Sequence, residues 1–336
     1  MNRFASRTPV TIADVALLAH VSKTTVSHVL SGNRPVAPTT RRRVEEAIRT
    51  LGYRPHGVAR SLRTKTSHTV ALLIPDIVNP FYPTVARGLE DGLNGGGYRT
   101  FICNTDRDAE REVEFLREMG QRGVDGIVLD SYLLSRDVIA EVVPAISLVR
   151  MGTTVLDEPG FDSVHGDDER GAHDATAHLL RVAGRRIAMI QGPPGAGAAR
   201  NAGHLRALET AGVPVDPNLM VSGGWTRDGG ASAMRRLLSM SAPPTGVFCA
   251  NDLMALGALD AAREMGVSVP GEVALVGFDD IDAAAYAVPA LTTVSNPAYE
   301  TGLLAGIMLK ERMTGQQTGA PRTVTLPCRL IRRSTA

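Results

Sequence analysis

Only three cysteines occur in 336 residues, at positions 103, 249 and 328. An odd number at such wide spacing excludes a disulfide framework and a zinc finger or ribbon. Cys103, Cys249 and Cys328 are therefore expected to be small core side chains in a reducing compartment. No apolar run approaches the ~18 residues that a membrane span requires. Met1–Pro9 is polar and does not read as a secretory leader, so the expected location is the cytoplasm, with no membrane partner. The glycine-rich turn Gly192–Arg200, GPPGAGAAR, lacks the Gly-Lys-Ser/Thr ending of a phosphate-cradling loop. No acid–base pair stands at motif spacing from a nucleophile. Together these absences argue against an enzyme, and no cofactor or metal is expected.

Net charge is also nearly absent, with 36 basic and 35 acidic residues, but the two signs are segregated. Met1–Thr66 holds twelve Lys and Arg against three Asp and Glu, while the rest of the chain holds 24 against 32. A basic head on an acidic body suits a phosphate backbone, where neutralisation releases counterions. Apolar spacing within the head predicts three short helices. Ile12, Val15 and Ala16 share a helical face, and Ala19-His20-Val21 breaks the run. Ser22 is a plausible N-cap for a second helix, Lys23–Leu30, with Val26, Val29 and Leu30 inward and Lys23, Thr24, Thr25, Ser27 and His28 outward. A third helix is expected from about Thr40 to Leu51, with Gly52 closing it. Hydroxyls, a lysine and an imidazole on one helix face can serve phosphates and base edges. A solvated basic bundle is the bland rival, and helix-turn-helix spacing together with charge favours DNA.

From Ser67 onward apolar strands alternate with amphipathic helices. Strands are expected at Val70–Leu73, Thr100–Cys103, Gly126–Leu129, Ala145–Val149, Ile187–Ile190, Gly246–Ala250 and Val273–Gly277. Helices fit at Tyr82–Leu93, Ala109–Arg122, Gly171–Val182, Arg200–Ala211, Gly229–Met240 and Leu253–Met265. Such alternation predicts parallel sheets covered on both faces, and its length predicts two similar α/β subdomains. Ligands bind such sheets at the carboxyl ends of strands, so a cleft between the subdomains is the expected site. Carboxylates, amides, an arginine and the single tryptophan, Trp225, cluster near those strand ends, as a polyhydroxylated ligand needs. Singly, each has a bland rival: Trp225 as core, Asn251 or Asp279 as a helix cap, Arg200 as a surface ion pair.

The strings TIADVALLAHVSKTTVSHVLSG, VAPTTRRRVEEAIRTLGYRP and VARSL resemble the headpiece of the LacI/GalR (lactose-repressor) family of bacterial transcriptional regulators. ANDLMALGAL, VALVGFDD and PALTTV resemble motifs of the family's body, as does the Gly-Pro turn ending at Arg200 and Gly203. The resemblance covers nearly the whole chain. It implies that Lys23, Thr24 and His28 read bases and that Thr25, Ser27, Thr40 and Tyr53 hold phosphates. It also implies that residues 56–66 form a hinge helix and linker, with Ala59 and Leu62 entering the minor groove and Leu62 wedged between base pairs. A helix that short is marginal in water, so folding there couples to binding. The family most often has arginine at position 28 and asparagine at 56; here both are histidine, and His28 cannot make the arginine fork to guanine. The resemblance assigns Phe81, Asp167, Arg200, Trp225, Asn251 and Asp279 to an effector cleft. An extra acid, Asp168, disfavours an anionic effector unless Arg200 and Arg170 offset it.

The expected fold is thus a three-helix headpiece (1–55), a hinge (56–66) and two Rossmann-like α/β subdomains of the periplasmic-binding-protein type (67–336). Their boundary is expected near 165, with crossings back near 292–296 and 325. The expected function is a dimeric repressor of a palindromic operator in double-stranded DNA, controlled by a sugar or sugar derivative, with a purine as the alternative effector. The last residues, RRSTA, form no heptad tail, which favours a homodimer over a coiled-coil tetramer. The competing reading is a periplasmic-type sugar-binding protein without a transcriptional role. It would need an export signal where this chain has a basic helix-turn-helix.

Overall fold

A computed structural model describes residues 10–32, 34–53, 66–152, 160–193 and 197–336. The chain forms two compact units, Met1–Ser67 and His68–Ala336. In the first, helices α1 (Ile12–Leu18), α2 (Lys23–Ser31) and α3 (Pro38–Leu51) surround a small core of Val15, Ala16, Val26, Val29, Val44 and Ala47. Thr11 and Asp14 close α1 with a reciprocal capping box, and Gly32 and Gly52 end α2 and α3 in left-handed conformations. Helix α3 begins at Pro38, two residues before the expected start, because proline is suited to the first helical position. Leu30, expected inward, is 37% exposed. It lies one residue past Val29, about 100° further round the helix, beyond a core stripe only wide enough for Val26 and Val29.

The second unit contains two parallel sheets. The larger has strand order β11-β5-β4-β3-β1-β2, from β1 (Thr69–Ile74), β2 (Arg99–Asn104), β3 (Gly126–Asp130), β4 (Ser147–Met151), β5 (Asp162–Gly166) and β11 (Thr323–Leu326). The smaller has order β7-β6-β8-β9, from β6 (Ile187–Gln191), β7 (Met220–Ser222), β8 (Gly246–Cys249) and β9 (Ala274–Val276). Along β1 the side chains alternate between two cores. Val70, Leu72 and Ile74 join Val85 and Leu89 of α4 (Phe81–Gly92) and Leu309 of α12 (Ala298–Met313). Ala71 and Leu73 join Leu116 of α5 (Ala109–Arg122). Burial on both faces explains why this strand reads as a continuous apolar run. The fold class is therefore the one expected, a helix-turn-helix head and Rossmann-like parallel sheets.

The chain passes between the two sheets three times. It leaves β5 for α7 (Asp168–Val182), returns between β10 (Thr293–Ser295) and α12, and leaves β11 for β12 (Arg329–Ile331), which pairs antiparallel with β10. Asp162 fastens the last return: its buried carboxylate takes Arg312 at 2.7 Å and Arg322 at 2.7 Å. Burial works to raise its pKa, but the two guanidiniums outweigh that and hold it below the usual carboxylate value. The strand expected at 145–149 runs instead over Ser147–Met151.

Candidate DNA-reading helix and ligand cleft

Within the head, α2 is fixed by its own first turn. Ser22 Oγ accepts the Thr25 amide at 3.0 Å and lies 2.9 Å from the Thr25 hydroxyl. That pair satisfies an amide otherwise orphaned at the helix start. Lys23 and Thr24 are exposed, whereas Thr25, Ser27, His28 and Thr40 are half-buried. Tyr53 is half-buried and packs against the headpiece core. Ala59 and Leu62, like His56, lie outside the described residues. The turn between α1 and α2 places His20 at φ 51°, a left-handed conformation costly for a side chain with a Cβ.

In the second unit, carboxyl ends of strands from both sheets converge on a cleft of about 930 Å³, part of it open to solvent. Phe81, Arg200, Trp225, Asn251 and Asp279 all line it, as do Tyr82 and the unanticipated Asp130, Tyr132 and Asn296. Asp168 stands in the wall where Asp167 was assigned. Asp167 turns instead to cap α7, its Oδ1 accepting the Arg170 amide at 3.2 Å. Arg170 itself pairs with Asp174 at 3.1 Å.

Arg200, on α8 (Ala198–Thr210), is the centre of the wall. Its Nε donates to Asp168 Oδ2 at 2.9 Å, Nη1 to the Ala250 carbonyl at 2.5 Å, and Nη2 lies 3.3 Å from Asp279 Oδ1. The guanidinium sits 3.9 Å over the Phe278 ring and 5.7 Å from that of Trp225. Burial alone would lower its pKa, but Asp168 and Asp279 outweigh it and drive the pKa up, so Arg200 is a permanent cation. Three anchors fix the fork's plane before any ligand arrives, which is the preorganisation that binding favours.

The neighbours of Arg200 are braced in turn. Asn296 Nδ2 donates to Asp279 Oδ1 at 3.2 Å. Asp279 titrates at about 6, raised by burial and restrained by Arg200. Asn251 is a helix cap that also lines the cleft: its Oδ1 caps α10 (Asp252–Glu264) at Met254 N, 2.9 Å away, while its Nδ2 donates to the Trp225 carbonyl at 3.2 Å. Trp225 packs against the turn after β6, so close that a Cβ on Gly192 would stand 2.3 Å from its ring. On the opposite wall Tyr82 donates its hydroxyl to Asp130 Oδ2 at 2.8 Å. Burial raises Asp130 to about 6. Asp130 follows directly on an expected strand ending at Leu129, so the strand-end rule was the available signal for it. Among the described residues no group of three or more His, Cys, Asp or Glu is placed to hold a metal, and no helix is long and apolar enough to cross a membrane.

Residues 11–56 match the model of bacterial regulatory proteins of the lacI family, and residues 176–336 match the periplasmic binding protein-like domain. The HTH-type transcriptional repressor CytR of Escherichia coli (strain K12) is 35% identical over 326 residues, covering 96% of this chain and 95% of its own. The transcriptional regulator CelR–cellobiose complex is similar over 97% of this chain and 100% of that one, at 32% identity and TM-score 0.74. The lac repressor dimer bound to operator and the anti-inducer ONPF is similar over 98% and 99%, at 25% identity and TM-score 0.86. A regulator headpiece, a periplasmic-binding-like body and near-complete coverage of a repressor coincide in one sequence. The chain belongs to the LacI family of bacterial regulatory proteins and is a ligand-responsive, DNA-binding transcriptional regulator.

Proposed function

We propose that this regulator is a cytoplasmic repressor that grips a palindromic operator as a homodimer and changes its grip when a sugar or sugar derivative enters the cleft. The observation that carries the effector reading is the Arg200 fork, fixed between Asp168 and Asp279 and flanked by Phe81 and Trp225. Carboxylates and N–H groups beside aromatic faces are what a hydroxylated ring requires: polar edges met by hydrogen bonds, apolar faces by stacking. The same aromatic faces suit a purine, the alternative effector, and relatives with cellobiose and ribose bound support the sugar.

On this reading residues 1–55 are the DNA-binding head, 56–66 the hinge and 67–336 the effector and dimerisation body. Lys23, Thr24 and His28 meet base edges, and Thr25, Ser27, Thr40 and Tyr53 meet phosphates. Ala59 and Leu62 enter the minor groove. Phe81, Arg200, Trp225, Asn251 and Asp279 hold the effector, with Asp168 in the place expected for Asp167. Two heads on a dimer match two half-sites, as the lac repressor dimer does on its operator. Fluorescence-polarisation titration of the full chain, on a palindromic duplex selected from random sequence, tests this. Six to ten phosphate contacts imply an affinity loss of roughly 10³–10⁵ between 50 and 200 mM salt. Failure to select any palindrome would refute the repressor reading.

A further inference from the structure

The charges around the cleft are unbalanced. Asp130, Asp168 and Asp279 face it, against Arg200 and Arg107. Both arginines already have carboxylate partners. Arg107 donates to Asp76 at 2.9 Å, and Arg200 is divided between Asp168 and Asp279. His165 turns its Nδ1 to the Gly166 carbonyl, 3.0 Å away. Behind the wall Arg150 and Glu112 are both buried: Arg150 donates to the Ser131 and Leu134 carbonyls, and Glu112 accepts the Ser131 hydroxyl. Arg150 acts on Asp130 as well as on Glu112, whose carboxyl burial pushes up to about 7, and the cleft keeps more carboxylates than guanidiniums.

Asp130 is the carboxylate with capacity to spare. Its Oδ2 takes the Tyr82 hydroxyl, the one hydrogen bond it receives among the described residues. Its Oδ1 lies 2.8 Å from where a Cβ on Gly152 would stand, and Gly152 has φ 76°. The glycine therefore makes room for this oxygen as well as for its own left-handed turn. An ionised carboxylate has about four acceptor positions, and those of the half-buried Asp130 that Tyr82 leaves free face the cleft. A ligand donor can fill them; a ligand anion meets repulsion instead, and neither wall arginine has its charge unspent.

Resting on the cleft as the effector site, we infer that Asp130 is a specificity-determining residue. It accepts a hydrogen bond from a hydroxyl or amine of an uncharged or cationic effector, and it rejects compounds carrying phosphate or carboxylate. The test is calorimetry of the full chain at pH 7.5 with matched probes: ribose and ribose 5-phosphate, glucose and glucose 6-phosphate, cellobiose and cellobionate, adenosine and its 5′-monophosphate. The neutral member of a binding pair should exceed its anionic partner at least tenfold. Asp130→Asn should weaken the neutral member and bring the ratio toward one. A merely structural role would weaken both members alike and leave the ratio intact, which overturns the inference. A tighter-binding anion also overturns it while leaving the cleft as effector site. If no probe binds, the inference and the effector reading fall together.

Discussion

Arg200 and Asp279 stand 3.3 Å apart with side chains only 11% and 5% exposed, so Arg200 is Asp279's main compensation for lost water, while Arg200 divides its own between Asp168 and Asp279. Breaking a buried pair from one side is costly because the surviving charge is stranded. Asp279→Asn keeps the shape and the Asn296 contact but removes the charge, and Arg200→Lys cannot span Asp168, Ala250 and Asp279 together. Both should weaken ligand binding by about ten- to a hundredfold, or roughly 1.4–2.8 kcal/mol. Operator affinity without ligand should stay within a few fold. Parallel calorimetry and polarisation titrations read the two effects separately; loss of operator binding alone would speak against the assignment.

The cleft acids should make stability depend on pH. Asp130 and Asp279 titrate at about 6 when folded, against a reference of 3.8. The folded state therefore holds these protons more tightly, and the associated stability is present at low pH and lost as pH rises through 6. Other acids, Asp162 among them, act in the opposite sense, so the useful quantity is a difference between proteins. Asp130→Asn without ligand should melt higher than the parent at pH 7.5, by roughly 2–4 °C for about 1 kcal/mol. The two melting curves should converge below pH 4. A variant that melts lower at pH 7.5 would contradict the burial cost assigned to Asp130.

His20 offers a stability test in the head. At φ 51° its Cβ is strained, and His20→Gly should relieve about 1 kcal/mol, less the entropy glycine adds to the unfolded chain. Hydrogen exchange of the α1 and α2 amides should slow severalfold. Faster exchange would mean that the imidazole contributes more than its strain costs.

Helices α4 and α12 cross without room for a side chain. A Cβ on Gly302 would stand 2.0 Å from the Val85 carbonyl oxygen, which is backbone and cannot swing aside. Gly302→Ala should cost about 1–3 kcal/mol in denaturant unfolding. At Gly319 the nearest atom to a new Cβ is 3.8 Å away, so Gly319→Ala should be close to neutral. A Gly302→Ala variant as stable as Gly319→Ala would mean that the crossing has room for a methyl group.

Much of this was legible in the sequence because local signals agreed with the final packing. The TVALLI strand is apolar from Val70 onward since both its faces are covered, and Gly52 marks a helix end that the structure keeps. What escaped depends on distant partners. Strand β11 alternates Thr-Val-Thr-Leu and is only partly covered, and its place beside β5 is secured by Asp162, 160 residues before Arg322. The neighbouring acids at 167 and 168 differ in fate because a helix start needs one cap; the second carboxylate is left to reach Arg200. No spacing rule separates two adjacent aspartates before the helix axis is known.

A ligand filling the cleft should change the grip on operator DNA, with Val58–Leu62, outside the described residues, as the proposed link. The most direct test of this coupling is operator affinity of the full chain with and without a saturating ligand drawn from the calorimetric panel. Operator affinity should change by about 5- to 150-fold, and little or not at all in Asp279→Asn, as a coupling of about 1–3 kcal/mol requires. An operator affinity unmoved by a ligand that demonstrably fills the cleft would contradict it.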